Sequence, residues 1–133
     1  MSARPLVLIA DDDRDILELV SLTLEQDGYE VLQAQNGEEA LRIATERTLH
    51  LAVLDLMMPV IDGYEVTRRL RADGQDQLPI LVLSAFAEDR QAALALAAGA
   101  DAYMRKPFSP KALVAKAGSM ILEHRPGRLA AEA

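Results

Sequence analysis

Two hydrophobic periodicities alternate along the chain. Residues 5–10 (PLVLIA), 50–55 (HLAVLD) and 79–84 (PILVLS) each hold an unbroken apolar run of strand length, the pattern of a strand covered on both faces. Residues 29–34 (YEVLQA) read as a strand nearer an edge, with Tyr29, Val31 and Ala34 set against Glu30, Leu32 and Gln33, and residues 102–104 as a short fifth. Between these runs the spacing becomes helical. Ile16, Leu17, Val20 and Leu24 mark a helix over 13–27, with acids in its first turn and Gly28 just past its end. Asn36 or Gly37 opens a second helix through about Thr45, with Ala40, Leu41 and Ala44 inward. Residues 63–71 predict a short third, carrying Tyr64, Val66, Thr67 and Leu70, with Arg68, Arg69 and Arg71 on its polar face. Residues 88–98 predict an Ala/Leu helix closed by Gly99. Ser109-Pro110 supplies the N-cap and first-position proline of a last helix that reaches about His124, and residues 125–133 read as frayed.

Five strand–helix units imply an α/β fold: a doubly wound, five-stranded parallel sheet with helices on both faces. Putting the strongly apolar strands 1, 3 and 4 in the middle and strand 2 near an edge gives the flavodoxin-like order 2-1-3-4-5, whose switch point lies between strands 1 and 3. The 133 residues fit one domain over 1–124, with 125–133 as a tail and no output domain expected. Half the residues are apolar but only 4% are aromatic, so the core must be built from Leu, Val, Ile and Ala. A net charge of −7 argues against direct nucleic-acid binding, which needs clustered Lys and Arg. Without cysteine there is no disulfide, zinc ribbon or thiol chemistry. No apolar run is long enough to span a bilayer and none follows a basic start, so no membrane insertion and a cytoplasmic location are expected. Gly-rich nucleotide loops are absent too.

The chemistry sits where the apolar runs stop. Residues 50–63 (HLAVLDLMMPVIDG) form a strand that ends in one carboxylate, Asp55, and then break into a Pro/Gly loop. Asp55 either opens the turn before Pro59 or serves the ligand site that open α/β sheets build at their strand ends. Two other tips weigh for the second. Strand 1 runs out into Asp11-Asp12-Asp13, and strand 5 is followed by Lys106-Pro107. Strands 1 and 3 flank the switch point, so Asp11, Asp12 and Asp55 should converge in one crevice. Two carboxylates about 4 Å apart repel by roughly 4 kcal/mol at an effective dielectric near 20. Either a pKa rises or a cation arrives. Hard oxygen donors with incomplete protein coordination suit Mg²⁺, or Mn²⁺. Helix capping would need only one of the three acids, and Asp13 is placed for it.

With these residues in view, the chain resembles a response-regulator receiver domain, the phosphoacceptor module of two-component signalling. The resemblance runs from Leu6 to about Glu123 and rests on LVLIADD, DLMMPVIDG, LPILVLSA and AGADAYMRKPF in this order and spacing. It implies a single-domain phosphorylation-dependent switch, not an enzyme beyond assisting its own phosphorylation and dephosphorylation. By resemblance, Asp55 accepts a phosphoryl group from a sensor histidine kinase or a histidine phosphotransfer protein. Asp12 as a direct ligand, Asp11 through water, Asp55 and the backbone carbonyl of Met57 hold the metal. Lys106 pairs with the carboxylate and then with a phosphoryl oxygen, and its bond to Pro107 is cis. Ser84 bonds another phosphoryl oxygen, and Tyr103 swings inward when Ser84 moves. Taken alone, each has a plainer reading: a surface lysine, a strand-ending serine, a tyrosine half-buried at a sheet edge.

The resemblance places the output on the helix 4–strand 5–helix 5 face, toward a downstream protein partner or a second copy in a homodimer. Residues 92–98 are apolar nearly all round their helix, which fits a partner surface or a tightly packed Ala-rich helix. Two other functions compete. Asp11-x-Asp13 superficially fits the nucleophile motif of a Mg-dependent phosphatase resembling haloacid dehalogenases, although no cap domain fits and Asp55 is left unexplained. The chain could also be the receiver part of a larger DNA-binding regulator. His50 and His124 lie in no motif and read as structural. Met57 and Phe86, two residues beyond Asp55 and Ser84, are apolar and cannot orient an attacking water. Slow self-dephosphorylation is therefore expected, and Met57→Asn with Phe86→Glu should shorten the phosphoryl lifetime in a decay assay.

Overall fold

The strands with unbroken apolar runs are those covered on both faces. In a computed structural model of the chain, which describes residues 4–85 and 89–123, every residue of β1 (Leu6–Ala10), β3 (Leu51–Asp55) and β4 (Ile80–Ser84) is buried. β2 (Glu30–Ala34) and β5 (Ala102–Arg105) are less covered and form the two edges. All pairings are parallel and the order is β2-β1-β3-β4-β5. The helices are α1 (Arg14–Gln26), α2 (Gly37–Glu46), α3 (Gly63–Ala72), α4 (Asp89–Ala98) and α5 (Pro110–Glu123).

The strand period of two divides the apolar side chains into two cores. Val7, Ile9, Val53, Leu81 and Leu83 meet Leu17, Val20 and Leu24 of α1 and Leu113, Ala117 and Met120 of α5. Leu8, Ala10, Leu54, Ile80 and Val82 meet Ala40 and Ala44 of α2, Val66 and Leu70 of α3, and Ala95 of α4. Parallel register brings the strand ends to one rim: Ala10 lies beside Leu54, Asp55 beside Leu83 and Ser84 beside Arg105. The loops leaving that rim close with side-chain caps. Asp13 accepts from the Asp15 and Ile16 amides, Asn36 from Glu39, Asp62 from Glu65 and Ser109 from Ala112. Each satisfies an amide that the helix start leaves unpaired.

Three details depart from the sequence reading. Ala34 packs on the opposite face from Tyr29 and Val31, because it lies an odd number of positions along the strand from each of them. Among the described residues of α4 only Ala95 is fully buried, while Leu94 and Leu96 are 46% and 49% exposed. The two leucines are about 200° apart around the helix, so its apolar surface is wider than the sheet covers. Arg71 does not join Arg68 and Arg69 at the surface, where both pair with Glu65. Its guanidinium donates to the carbonyls of Gly99, Gln75 and Leu78 and to Asp101 Oδ2, which also accepts from the Ile80 amide. One planar fork thus closes the end of the sheet where β4 and β5 begin. Gly99 makes room for it: at its φ of +118° a Cβ would lie 2.7 Å from Arg71 Cγ.

His50 has a structural task, its Nδ1 accepting from the Leu6 amide at 3.0 Å. His124, Phe86 and the tail over 125–133 lie outside the described residues. Among the described residues no helix is long and apolar enough to cross a membrane. The Arg71 clamp generates a prediction. Arg71→Met keeps the stem but removes the donor from three carbonyls and the cation from Asp101, and should cost about 3 kcal/mol in urea unfolding, against under about 0.5 kcal/mol for exposed Arg68→Ala.

Candidate functional site

Three chain segments that are far apart in sequence meet at the rim where the strands end. β1 runs one residue past Ala10 to Asp11, whose amide donates to the Ala34 carbonyl and whose side chain is buried. Asp11 Oδ1 accepts from the Asp13 amide at 2.9 Å, which holds the carboxylate in place and leaves Oδ2 for Lys106. Asp13 itself turns away to cap α1. Asp12 is exposed at the mouth.

Asp55 ends β3, almost fully buried. The chain leaves it under tight control: the Leu56 amide donates to the Leu83 carbonyl, and the Gly63 amide returns to the Leu56 carbonyl at 2.9 Å. A Cβ at position 63 would lie 2.7 Å from the Asp55 carbonyl oxygen, so only glycine lets α3 start this close to β3. Met57, two residues on, is 57% exposed. Lys106 follows β5. Its amide donates to the Ser84 carbonyl at 2.7 Å and its peptide bond to Pro107 is cis. From there Nζ donates to Asp11 Oδ2 at 2.9 Å and Asp55 Oδ1 at 3.1 Å.

Asp11, Asp12 and Asp55 each offer an oxygen, and these oxygens lie within 4.8 Å of one another. One ammonium faces three carboxylates. Burial first, then the charge of Asp11, push the Asp55 carboxyl up to about 6, against the opposing pull of Lys106. For Lys106 burial works against the charge, but its bonds to Asp11 and the charge of Asp55 outweigh it and the net shift is upward. Two carboxylates buried and one exposed, all oxygen donors, fit a hard divalent cation that keeps part of its water. Among the described residues no imidazole or thiol ligand joins this cluster.

Of the residues singled out in the sequence, Asp11, Asp12, Asp55 and Lys106 are brought together. Ser84, fully buried, is held at the adjoining strand tip. Tyr103 is half-buried on β5 and packs with the α2–α4 core. The sequence reading missed two features. An apolar groove of about 520 Å³, lined by Ile16, Leu19, Ala85, Lys106, Pro107 and Phe108, opens beside the lysine. Tyr64, read as a helix residue only, gives its hydroxyl to Gln91 on α4. Residues 27 apart carry no local signal of pairing.

Residues 7–118 match the family model described as response regulator receiver domain. The chain belongs to that family. Among its relatives is the alkaline phosphatase synthesis transcriptional regulatory protein PhoP of Bacillus subtilis. It is 42% identical over 115 residues, covering 86% of this chain and 48% of that protein. A Francisella receiver domain superposes with a TM-score of 0.86 at 31% identity, covering 90% of this chain and 98% of that one. The beryllofluoride-activated DrrB receiver superposes with a TM-score of 0.82 at 32% identity, covering 90% and 98%. This receiver spans about half the length of the curated relatives it matches. Receiver domains are signalling domains that accept phosphoryl groups from histidine kinases. The phosphatase alternative is not favoured: Asp13 caps α1, and the acid that meets Asp11 and Lys106 is Asp55.

The receiver's unbalanced charge has a measurable cost. Asp55 titrates near 6 when folded and near 3.9 when unfolded. Between those values the folded state binds the extra proton, so stability falls as pH rises through the window and stays lower above it. In EDTA at pH 7.5, Asp55→Asn should be more stable than the wild type by about 2 kcal/mol, or about 5 °C in Tm. That advantage should shrink toward zero as the pH is lowered to about 4.

Proposed function

We propose that the chain is a phosphorylation-dependent switch in which Asp55 takes the phosphoryl group. The observation that carries this reading is the pair of hydrogen bonds that Lys106 Nζ donates to Asp11 and Asp55 within a cluster of three carboxylate oxygens. An oxygen of the Asp55 carboxylate forms the new bond to phosphorus as the bond to the donor's imidazole nitrogen breaks, and the imidazole leaves with that electron pair. Transfer of this kind asks for alignment and charge neutralisation more than covalent help. Lys106 supplies a fixed positive charge beside the acceptor and is placed to follow the charge onto a phosphoryl oxygen. Ser84 offers a hydroxyl at the next strand tip. Asp12, Asp55, the Met57 carbonyl and, through water, Asp11 would hold Mg²⁺ or Mn²⁺. The ion supplies further charge neutralisation at the transferred group.

The donor in this reading is a sensor histidine kinase or a histidine phosphotransfer protein, and the apolar groove beside Lys106 offers such a partner's apolar side chains a place to dock. The change of charge at Asp55, from one carboxylate to nearly two negative charges with new acceptor oxygens, draws Ser84 and Lys106 toward it. α4, β5 and α5 follow from those residues, and Tyr103 moves inward with them. The half-exposed Leu94 and Leu96 support α4 as part of the output surface toward a downstream protein or a second copy. Residues 1–124 form the switch in this account. It assists its own phosphorylation and dephosphorylation but has no separate substrate.

Intact mass after incubation with acetyl phosphate and Mg²⁺ tests this. One phosphoryl group should be gained by the wild type and none by Asp55→Asn or in EDTA. Lys106→Ala should slow the gain at least about tenfold, the loss expected for a charge acting on the transferred group. Equal modification of Asp55→Asn would refute the assignment.

A further inference from the structure

The phenol of Tyr64 has a partner for which the acid site does not account. Tyr64 is the second residue of α3 and Gln91 lies in the first turn of α4. The Tyr64 hydroxyl donates to the Gln91 side-chain carbonyl, with the Gln91 backbone carbonyl 3.5 Å away. Tyr64 and Tyr103 pack against the same core, and the two phenols lie close enough to interact electrostatically. Burial, and then Tyr103, raise the Tyr64 phenol above its ordinary value, so its hydroxyl remains a donor throughout the physiological pH range.

What this hydroxyl joins gives it its importance. α3 follows Asp55 and is fixed to it, since the Gly63 backbone lies directly against the end of β3. α4 follows Ser84 in the chain, and β5, with Tyr103, leads to Lys106. Tyr64 therefore joins α3, which leaves Asp55, to α4, which follows Ser84, and lies near Tyr103 on the strand that leads to Lys106. The bond to Gln91 is made in the arrangement in which Lys106 is bonded to the carboxylates of Asp11 and Asp55. Movement of Ser84 and Lys106 toward a phosphorylated Asp55 would pull on the chain that leads from Ser84 into α4. α3, held by Gly63, cannot follow. A bond made in only one of two arrangements biases the equilibrium toward that one.

We propose that Tyr64 is a positioning residue of the switch, whose hydrogen bond to Gln91 holds the first turn of α4 against α3 and is released when Asp55 is phosphorylated. This inference rests on the reading of Asp55 as phosphoacceptor. Its strength sets how readily the site switches, so α3 becomes part of a response otherwise carried by α4, β5 and α5. The Tyr64 ring stays packed if only the oxygen is removed, which makes Tyr64→Phe a clean probe of the bond.

Beryllofluoride, which mimics an aspartyl phosphate, reports on the switched arrangement without a kinase. Its affinity in the presence of Mg²⁺ is measured by fluorine NMR for the wild type, Tyr64→Phe, Gln91→Leu and the double variant, alongside thermal unfolding of each. Either single variant should bind beryllofluoride about fivefold more tightly, the equivalent of about 1 kcal/mol for one net hydrogen bond. The double variant should gain nothing further. Unchanged affinity with reduced stability would make the bond merely structural and overturn the inference. Weaker binding would mean that the bond supports the switched arrangement, and would overturn it equally. If the wild type itself fails to bind beryllofluoride, the reading of Asp55 falls, and this inference with it.

Discussion

One ammonium group against three carboxylates is the constraint on which the functional end of this molecule depends. Lys106 reaches Asp11 and Asp55 across sequence separations of 95 and 51 residues. Only a parallel sheet with all its strand ends on one rim brings those segments together without long arms. The arrangement is satisfied in hydrogen bonds and unsatisfied in charge. Among the described residues no buried side-chain nitrogen or oxygen lacks a partner, yet the Asp55 carboxyl is held near 6. A site left short of positive charge attracts a cation and tolerates a group that arrives with one.

The opposite end of the sheet shows what the same chemistry looks like when its purpose is structural. Arg71 meets three carbonyls and one carboxylate with a planar fork, and Asp101 in turn accepts the Ile80 amide. Charge and hydrogen bonds both balance there. That end is clamped, while the rim bearing Asp55 keeps its imbalance, and the side-chain bond of Tyr64 to Gln91 joins two of the helices that leave it. A switch needs both: a frame that does not yield, and a few contacts whose loss is small beside the total stability.

Much of this was legible in the residues alone. The unbroken runs ending at Ala10, Asp55 and Ser84 determined which strands are central, because only a strand covered on both faces can be apolar at every position. Asp13 and Asn36 marked the starts of the first two helices, since an amide at a helix N-terminus needs an acceptor. The acids at the tips of strands 1 and 3 identified the site once the strand order was inferred. Arg71 was not legible: its spacing is that of a surface residue, and its partners lie up to 30 residues away with nothing local that pairs them to it. Ala34 was misplaced by parity. α4 stayed ambiguous because composition reports how apolar a helix is but not how wide a groove receives it.

The chain's own sequence therefore determined the fold class, the strand order and the set of acids, since period and strand-end chemistry are local properties read within a few residues. The tertiary structure decided which oxygen meets which nitrogen: Lys106 between Asp11 and Asp55, Asp13 turned to its helix, Arg71 folded inward and Tyr64 tied to Gln91. Those pairings depend on distances between elements remote in sequence, and such distances exist only after the sheet has formed.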